Sequence, residues 1–509
     1  MIRTARTENG TVRGIEASDP RITAFKGVPF AAPPIGENRW RAPQPCENWE
    51  GVREAYRFAP ISVQDTPGLS DNIYDREWHV DPDIAMNEDC LYLNIWTGAK
   101  KPEEKQPVLV WFFGGALQWG YPAEMEFNGE RIARRGVVVV TVNYRINLFG
   151  FLSHPELTEQ QPDAPANFGH LDQQAGLKWV IRNIRAFGGD PENITIAGQS
   201  AGGGSVMSQV TCPDNFGLFQ KAIVLSGMIR NPYKEWNILK PRKLTEAEQK
   251  GIKFFDYIGV KNLDEARKLD AFYLRDKYSE YIKDNEWMAT TIDGKFCIGD
   301  PLALYLENKH ARVPMMSGNT SDEFLNYIVA DSVEAYRKKV CELFGSRAEE
   351  FLSLEEAWKK DVDQYAPVSG IECTVKSLFL KNREQGNSQN CYYYRFDTEI
   401  PGWDNPGNFH SVDLWFFFET LANCWRPFHG KHYDLARQMC NYWCNFMKTG
   451  DPNGIDADGT EMPHWEPYTK ETPYDMIFSM EGAYQEEKEE AQFIKFLIDS
   501  VTEDILSSK

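Results

Sequence analysis

The residues with the plainest chemical meaning are Gly198-Gln199-Ser200-Ala201-Gly202, a G-x-S-x-G pattern. Upstream lies a strand-like run, Asn193 to Ala197, and downstream a run of small residues, Ala201 to Met207. A strand that turns sharply into a helix holds its turn residue in a strained conformation. Glycines two before and two after the serine let the neighbouring backbones close in without a Cβ clash. The hydroxyl then stands above the sheet and the next N–H points out of a helix N-terminus, where negative charge is favoured. Such a nucleophile needs a base, and histidine is the side chain whose ordinary pKa lies near neutral pH. The histidines after the serine are His310, His410, His429, His432 and His464. His410 sits in a glycine-containing loop, Asn405 to Leu414, soon after the strand-like Cys391 to Asp397, and is the expected base. An acid must orient the imidazole. The loop Gly318 to Phe324 offers Asp322 and Glu323, and spacing alone does not choose between them. Donors for a developing oxyanion are expected from Gly114-Gly115-Ala116, which follow the apolar run Pro107 to Phe113, together with the N–H of Ala201; losing one such donor typically costs about 3–4 kcal/mol.

These residues have to be positioned by elements that alternate along the chain. Pro107–Phe113, Gly136–Tyr144, Asn193–Gln199, Lys221–Gly227, Val313–Gly318 and Cys391–Asp397 read as strands, several of them too apolar for one exposed face. Leu171–Phe187 has helical spacing and stops at Gly188-Gly189. Asn9-Gly10 predicts a hairpin near the N-terminus. Strands alternating with helices predict an α/β fold, a central and mostly parallel twisted sheet with helices on both faces. The charged stretches at about 229–300 and 328–390 read as helical insertions over the active edge. No repeat or low-complexity linker divides residues 1–509, so one catalytic domain is expected.

With 509 residues and 42% hydrophobic content, the chain can bury a large core. A formal net charge of -20 disfavours nucleic acid and anionic membranes as partners. The longest apolar run, Val137–Val142, is too short to span a bilayer. Met1–Gly10 has no apolar signal-like stretch and the ten cysteines are scattered, so free thiols and a cytoplasmic location are expected. Asn193-Ile194-Thr195 fits a glycosylation sequon but lies on the strand feeding Ser200, and reads as unused. His429, His432, Cys440 and Cys444 have spacings compatible with zinc; buried thiols on an aromatic helix are the plainer reading, and no metal or cofactor is expected.

The chain resembles the type-B carboxylesterases, the α/β-hydrolase branch that includes cholinesterases and fungal lipases. The resemblance rests on Phe25–Pro34, Glu88–Trp96, Val142–Arg145, Asn167–Gln173, Phe187–Pro191, the Ser200 pattern and Thr449–Asn453, in that order. It implies the α/β-hydrolase fold and a serine ester hydrolase with nucleophile Ser200, acid Glu323, base His410 and an oxyanion hole of Gly115, Ala116 and Ala201. It also implies ion pairs Arg39–Glu88 and Arg145–Asp172. Phe113 stands where many members have histidine, which is expected to alter packing behind the hole. Ser62 holds the place of the cysteine that secreted members bridge to the residue matching Cys90. Cholinesterases carry glutamate where this chain has Gln199, which leans away from choline esters, and their choline-binding tryptophan is offset from Trp78.

Trp119 and Tyr121 are expected to line the substrate gorge beside Gln199. The expected substrates are small to medium carboxylic esters, with hydroxycinnamoyl esters as the alternative. A non-catalytic adhesion role is disfavoured by the presence of Ser200, Glu323 and His410 together. A monomer or small homo-oligomer is expected.

Overall fold

The strand Gln106–Phe112 shows how the layers arise. Val108, Val110 and Phe112 point into one apolar cluster, while Leu109 and Trp111 point into a second. All five are fully buried, so both faces of the sheet are covered. The structure is a computed structural model and describes residues 1–234, 240–456 and 459–507.

The central sheet is 11-stranded. In chain order its strands are β1 (Ile15–Glu16), β2 (Thr23–Pro29), β3 (Tyr92–Thr97), β4 (Gln106–Phe112), β5 (Val138–Val142), β6 (Gly189–Gln199), β7 (Lys221–Leu225), β8 (Met315–Thr320), β9 (Cys391–Phe396), β10 (Asp475–Ser479) and β11 (Gly482–Glu486). Across the sheet they run β11-β10-β9-β8-β7-β6-β4-β5-β3-β2-β1. From β5 through β4, β6, β7, β8 and β9 to β10 every pairing is parallel, and antiparallel strands finish both edges. Parallel neighbours bring the C-terminal ends of these strands to one edge, where ligands bind in open α/β sheets.

One face is covered by α1 (Phe168–Asn183), α2 (Ala201–Thr211), α3 (Gly370–Glu384) and α5 (Gln492–Ser507), whose Val180, Val206, Leu378 and Phe496 join the cluster of Val108. The other face is covered by α4 (Gly430–Thr449), with Leu435, Met439 and Trp443 in the cluster of Trp111. α1 begins three residues before the predicted start; its predicted tail, Ile184–Phe187, tightens to a 3₁₀ turn that Gly188 ends at φ 82°. The predicted hairpin at Asn9-Gly10 is present, pairing Thr4–Arg6 with Thr11–Arg13.

The two insertions are built differently. The first carries helices Leu244–Ile258, Leu263–Arg267 and Ala271–Tyr281 and a pair of short parallel strands, with residues 235–239 outside the described residues. The second is not purely helical. Leu325–Val329, Gln364–Ser369 and Lys360–Asp361 form a small antiparallel sheet, and the last helix of the segment, α3, belongs to the core layer. Its strands are short and one contains Pro367, a residue found in strands mainly at edges, so their signal in the sequence is weak. No described helix is long and apolar enough to cross a membrane.

Candidate active site

β6 ends at Gln199 and α2 begins at Ala201, so Ser200 is the whole of the turn. Its backbone sits at φ 54°, ψ -125°. Residues with a Cβ rarely adopt positive φ, and such outliers gather at functional sites. The turn is held by hydrogen bonds from Ser200 N to Leu225 O and from Gly204 N to Ser200 O, both 2.9 Å. A Cβ on Gly198 would sit 2.4 Å from the Gly202 carbonyl oxygen, and one on Gly202 would sit 2.2 Å from the Phe112 carbonyl oxygen. Only glycine fits at either position, which gives the sequence pattern its mechanical cause.

The structure brings His410 and Glu323 together. Glu323 Oε2 contacts His410 Nδ1, while Oε1 accepts from Ser226 Oγ at 2.6 Å and from Thr320 N at 2.7 Å. The contact with Glu323 places a proton on Nδ1 and leaves the Nε2 lone pair facing the cavity. The choice between the adjacent acids is made by burial. Glu323 is 2% exposed, whereas Asp322 is exposed and accepts from Asn408 N at 2.8 Å, bracing the loop that carries the histidine. Phe324 packs edge-on against the imidazole, with ring centres 4.5 Å apart.

His410 Nε2 lies 3.3 Å from the Gln199 carboxamide nitrogen, and no hydrogen bond joins it to Ser200 Oγ among the described residues. Ser200, Gln199 and His410 nonetheless line one cavity of about 650 Å³. The loop after β4 lines it too, through Gly114, Gly115 and Ala116. Gly115 has φ 98°, Ala116 φ 56° and Leu117 φ 62°. This left-handed run turns successive N–H groups outward, and those of Gly115, Ala116 and Ala201 have no acceptor among the described residues. Two unsatisfied donors on the cavity wall, and a third on Ala201 next to Ser200 at the start of α2, suit a developing oxyanion.

Of the expected gorge residues, Trp119 lines the cavity, where its indole N–H donates to Asp65 at 3.1 Å and its ring meets Trp287 edge-on. Tyr121 does not: it is 2% exposed, packed against His79, and lies outside the cavity wall. Gly120, at φ 100°, turns the chain between the two aromatics and so reverses the side of Tyr121. Trp78 lines the cavity and stacks on Phe409, next to the histidine, at 6.4 Å. From the first insertion Ile229 and Trp287 reach the wall; no residue of 328–390 does.

Two groups at the site are absent from the sequence expectation. Ser226 caps Glu323 from the end of β7 at φ 47°; its signal was a Ser-Gly pair closing an apolar strand. Asp413 is 1% exposed and accepts from Tyr394 OH at 2.8 Å, with its other oxygen unpartnered. Burial, and then the charge of Glu323, push its carboxyl up to about 7.

The expected framework pairs form. Arg39 holds Glu88 through two contacts of 2.6 Å, and Arg145 holds Asp172 through two of 2.7 Å. Phe113 fills the space behind the hole by stacking on Tyr144 at 4.2 Å, and Tyr144 OH donates to the Phe113 carbonyl. Ser62 lies beside the Cys90 thiol. His429 and His432 cap the start of α4, while Cys440 and Cys444 are buried further along it. Asn193 of the sequon donates to the Lys448 carbonyl at 3.2 Å.

A profile described as the carboxylesterase family matches residues 2–496. Para-nitrobenzyl esterase of Bacillus subtilis (strain 168) is 31% identical over 504 residues, covering 95% of this chain and 96% of its own. Mus musculus cholinesterase is 30% identical, covering 90% and 80%. Fumonisin B1 esterase of Sphingopyxis macrogoltabida is 30% identical, covering 90% and 83%. Among solved structures, a PNB esterase superposes with TM-score 0.75 at 29% identity over 98% of this chain and 100% of that one. A Geobacillus stearothermophilus carboxylesterase gives TM-score 0.75 at 28% identity over 98% and 99%. This chain therefore has the α/β-hydrolase fold and belongs to the carboxylesterase family, enzymes that hydrolyse carboxylic esters.

Proposed function

We propose that Ser200 is the nucleophile, His410 the general base and acid, Glu323 the orienting acid, and that the N–H groups of Gly115, Ala116 and Ala201 form the oxyanion hole. Substrate entry hands the His410 lone pair from Gln199 to the Ser200 hydroxyl. Ser200 Oγ attacks the ester carbonyl as its proton passes to Nε2, and the carbonyl oxygen takes its charge among the three donors. Collapse breaks the bond to the alcohol, which leaves with the proton from Nε2. Water then attacks the acyl-enzyme, giving its proton to Nε2; release of the acid returns that proton to Ser200. The observation that carries this reading is Glu323 buried against Nδ1 with Nε2 and Ser200 facing the same cavity.

Small to medium carboxylic esters are the proposed substrates. The aromatic walls of Trp78, Trp119 and Trp287 favour aryl and benzyl groups, and the Trp119–Trp287 pair makes hydroxycinnamoyl esters the second reading. A phosphonate probe should label Ser200 and no other serine. Ser200→Ala should lower kcat for p-nitrophenyl acetate by at least about 10⁴-fold with an unchanged circular dichroism spectrum. Residual activity above a hundredth of the parent's would overturn the assignment. A panel of acyl chain lengths with methyl ferulate decides between the two substrate readings.

A further inference from the structure

The carbonyl carbon that Ser200 attacks carries three groups, and two of them have their places. Its oxygen turns to the N–H groups of Gly115, Ala116 and Ala201, and its alcohol oxygen has to face His410 Nε2. The acyl chain is left with the side away from His410. On that side a second, smaller cavity of about 40 Å³ lies against the nucleophile turn. Ala201, Gly204 and Ser205 of α2 line it, and so does Leu117, the residue after Ala116. Ile229 lines both cavities, whereas no residue of 405–414, the loop of His410, lines the smaller one.

The two cavities differ in charge. The larger has Asp65, Asp75, Glu124 and Glu126 in its wall and, among the described residues, no arginine or lysine. The smaller has Arg230 and Lys240 against a single acid, Asp300, among the described residues. Arg230 is 2% exposed and donates from Nη2 to Asp300 Oδ2 at 2.6 Å, while its Nε is buried with no acceptor among the described residues. Asp300 is shared: its Oδ1 accepts from Leu302 N at 2.9 Å and caps the helix Pro301–Leu306. Lys240 is exposed and has no ion-pair partner among the described residues. The wall hydroxyls are already engaged, Ser205 Oγ with Ala201 O at 3.0 Å and Thr290 Oγ1 with His170 Nε2 at 2.8 Å. The open donor is therefore the guanidinium, and a buried N–H without an acceptor is unfavourable.

We propose that this smaller cavity is a subsite for a carboxylate at the far end of the acyl group, so that the preferred substrates are half-esters of short dicarboxylic acids. The carboxylate accepts from Arg230 Nε, and the Lys240 ammonium at the wall adds attraction. Guanidinium is the side chain best matched to a carboxylate, and a charge-assisted bond of this kind is stronger than one to a neutral acceptor. A cavity of this size holds about three water-sized groups, room for a terminal carboxylate and too little for a long alkyl tail. The acids of the larger cavity stand on the alcohol side, across Ser200, where Trp78, Trp119 and Trp287 offer an aryl alcohol its wall. This placement rests on Ser200 and His410 in the roles given to them by the proposed mechanism.

The test compares kcat/KM for the benzyl half-esters of succinate and glutarate, each beside its neutral terminal amide and its branched alkyl isostere. The better half-ester is expected to exceed its amide at least tenfold and to exceed its alkyl isostere. Arg230→Lys keeps a positive charge for Asp300 but removes the Nε donor, and should cut the ratio of half-ester to amide at least fivefold. Should that variant fail to fold, the exposed Lys240→Glu serves instead and should cut the ratio at least threefold. Equal rates for the half-esters and their amides, faster hydrolysis of the alkyl isosteres, or an unchanged ratio in a folded Arg230→Lys or, failing that, in Lys240→Glu each overturn the subsite. Hydrolysis of benzyl butyrate that is lost in Ser200→Ala keeps the catalytic assignment standing independently of that result.

Discussion

Two acidic pairs stand near the same cavity, and they are built in opposite ways. In Asp322–Glu323 one member is exposed and the other is buried with a donor on every side: Ser226 Oγ, Thr320 N and His410 Nδ1. In Glu124–Glu126 both are buried, and the deeper one faces the other carboxyl, which with burial pushes it well above its ordinary range. Asp413 lies between these extremes, with one donor and one open oxygen. Burial by itself therefore does not assign a role to a carboxyl; the donors do. A carboxylate with three donors is held in one geometry, each hydrogen bond to a charged group contributing about 1.5–3 kcal/mol. It can orient an imidazole. One pressed in a buried site against a second carboxyl favours holding a proton instead.

The largest test of this contrast is Glu323→Gln. An amide there can hold the wrong imidazole tautomer, and kcat should fall about 10³–10⁴-fold toward p-nitrophenyl acetate. Ser226→Ala comes next. It leaves Glu323 in place but strips one donor, moving it toward the state of Glu126, and kcat should fall about 10–100-fold with KM nearly constant. A Ser226→Ala enzyme as fast as the parent would break the link between donors and role. Asp322→Asn should stay within about threefold of parent activity, because the amide oxygen still accepts from Asn408 N. A larger loss than that of Glu323→Gln would move the acid by one residue.

The smallest effect is on stability. The Asp413 carboxyl is raised from 3.8 to about 7 in the folded state, so the folded protein binds the proton more tightly than the unfolded chain. Its contribution is present at low pH and is lost as pH rises from about 4 through about 7. Asp413→Asn removes that loss. The melting temperature of the variant relative to the parent should therefore rise by about 1–3 °C between about pH 4 and about pH 8. A flat difference across that range would show that the single donor from Tyr394 already satisfies the group.

Much of this was legible in the residues, and for identifiable reasons. The Ser200 turn announces itself because only glycine fits at Gly198 and Gly202, so geometry and letter coincide. The parallel strands announce themselves because both faces are covered, which makes Val138–Val142 four valines and one threonine, all buried. Asp322 and Glu323 stay ambiguous in the sequence because neighbours in a turn differ only in which way the chain faces, and that depends on contacts 87 residues away at His410. Tyr121 misled because one glycine at φ 100° separates it from Trp119. Glu124 and Glu126 give no signal, since a pair of glutamates two apart is ordinary on a surface; only burial makes them unusual.

The strained corner at Ser200 also limits how the enzyme can be rebuilt. At φ 54° a side chain with one heavy substituent on Cβ is tolerated, whereas a β-branched one is a genuine outlier. Threonine keeps the hydroxyl but adds a methyl that the corner has no rotamer for, so Ser200→Thr should lose the acyl-enzyme even though its reacting atom is unchanged. Cysteine changes the atom and keeps the shape. The architecture thus leaves open a route from oxyester to thioester intermediates while closing the route to a more substituted alcohol.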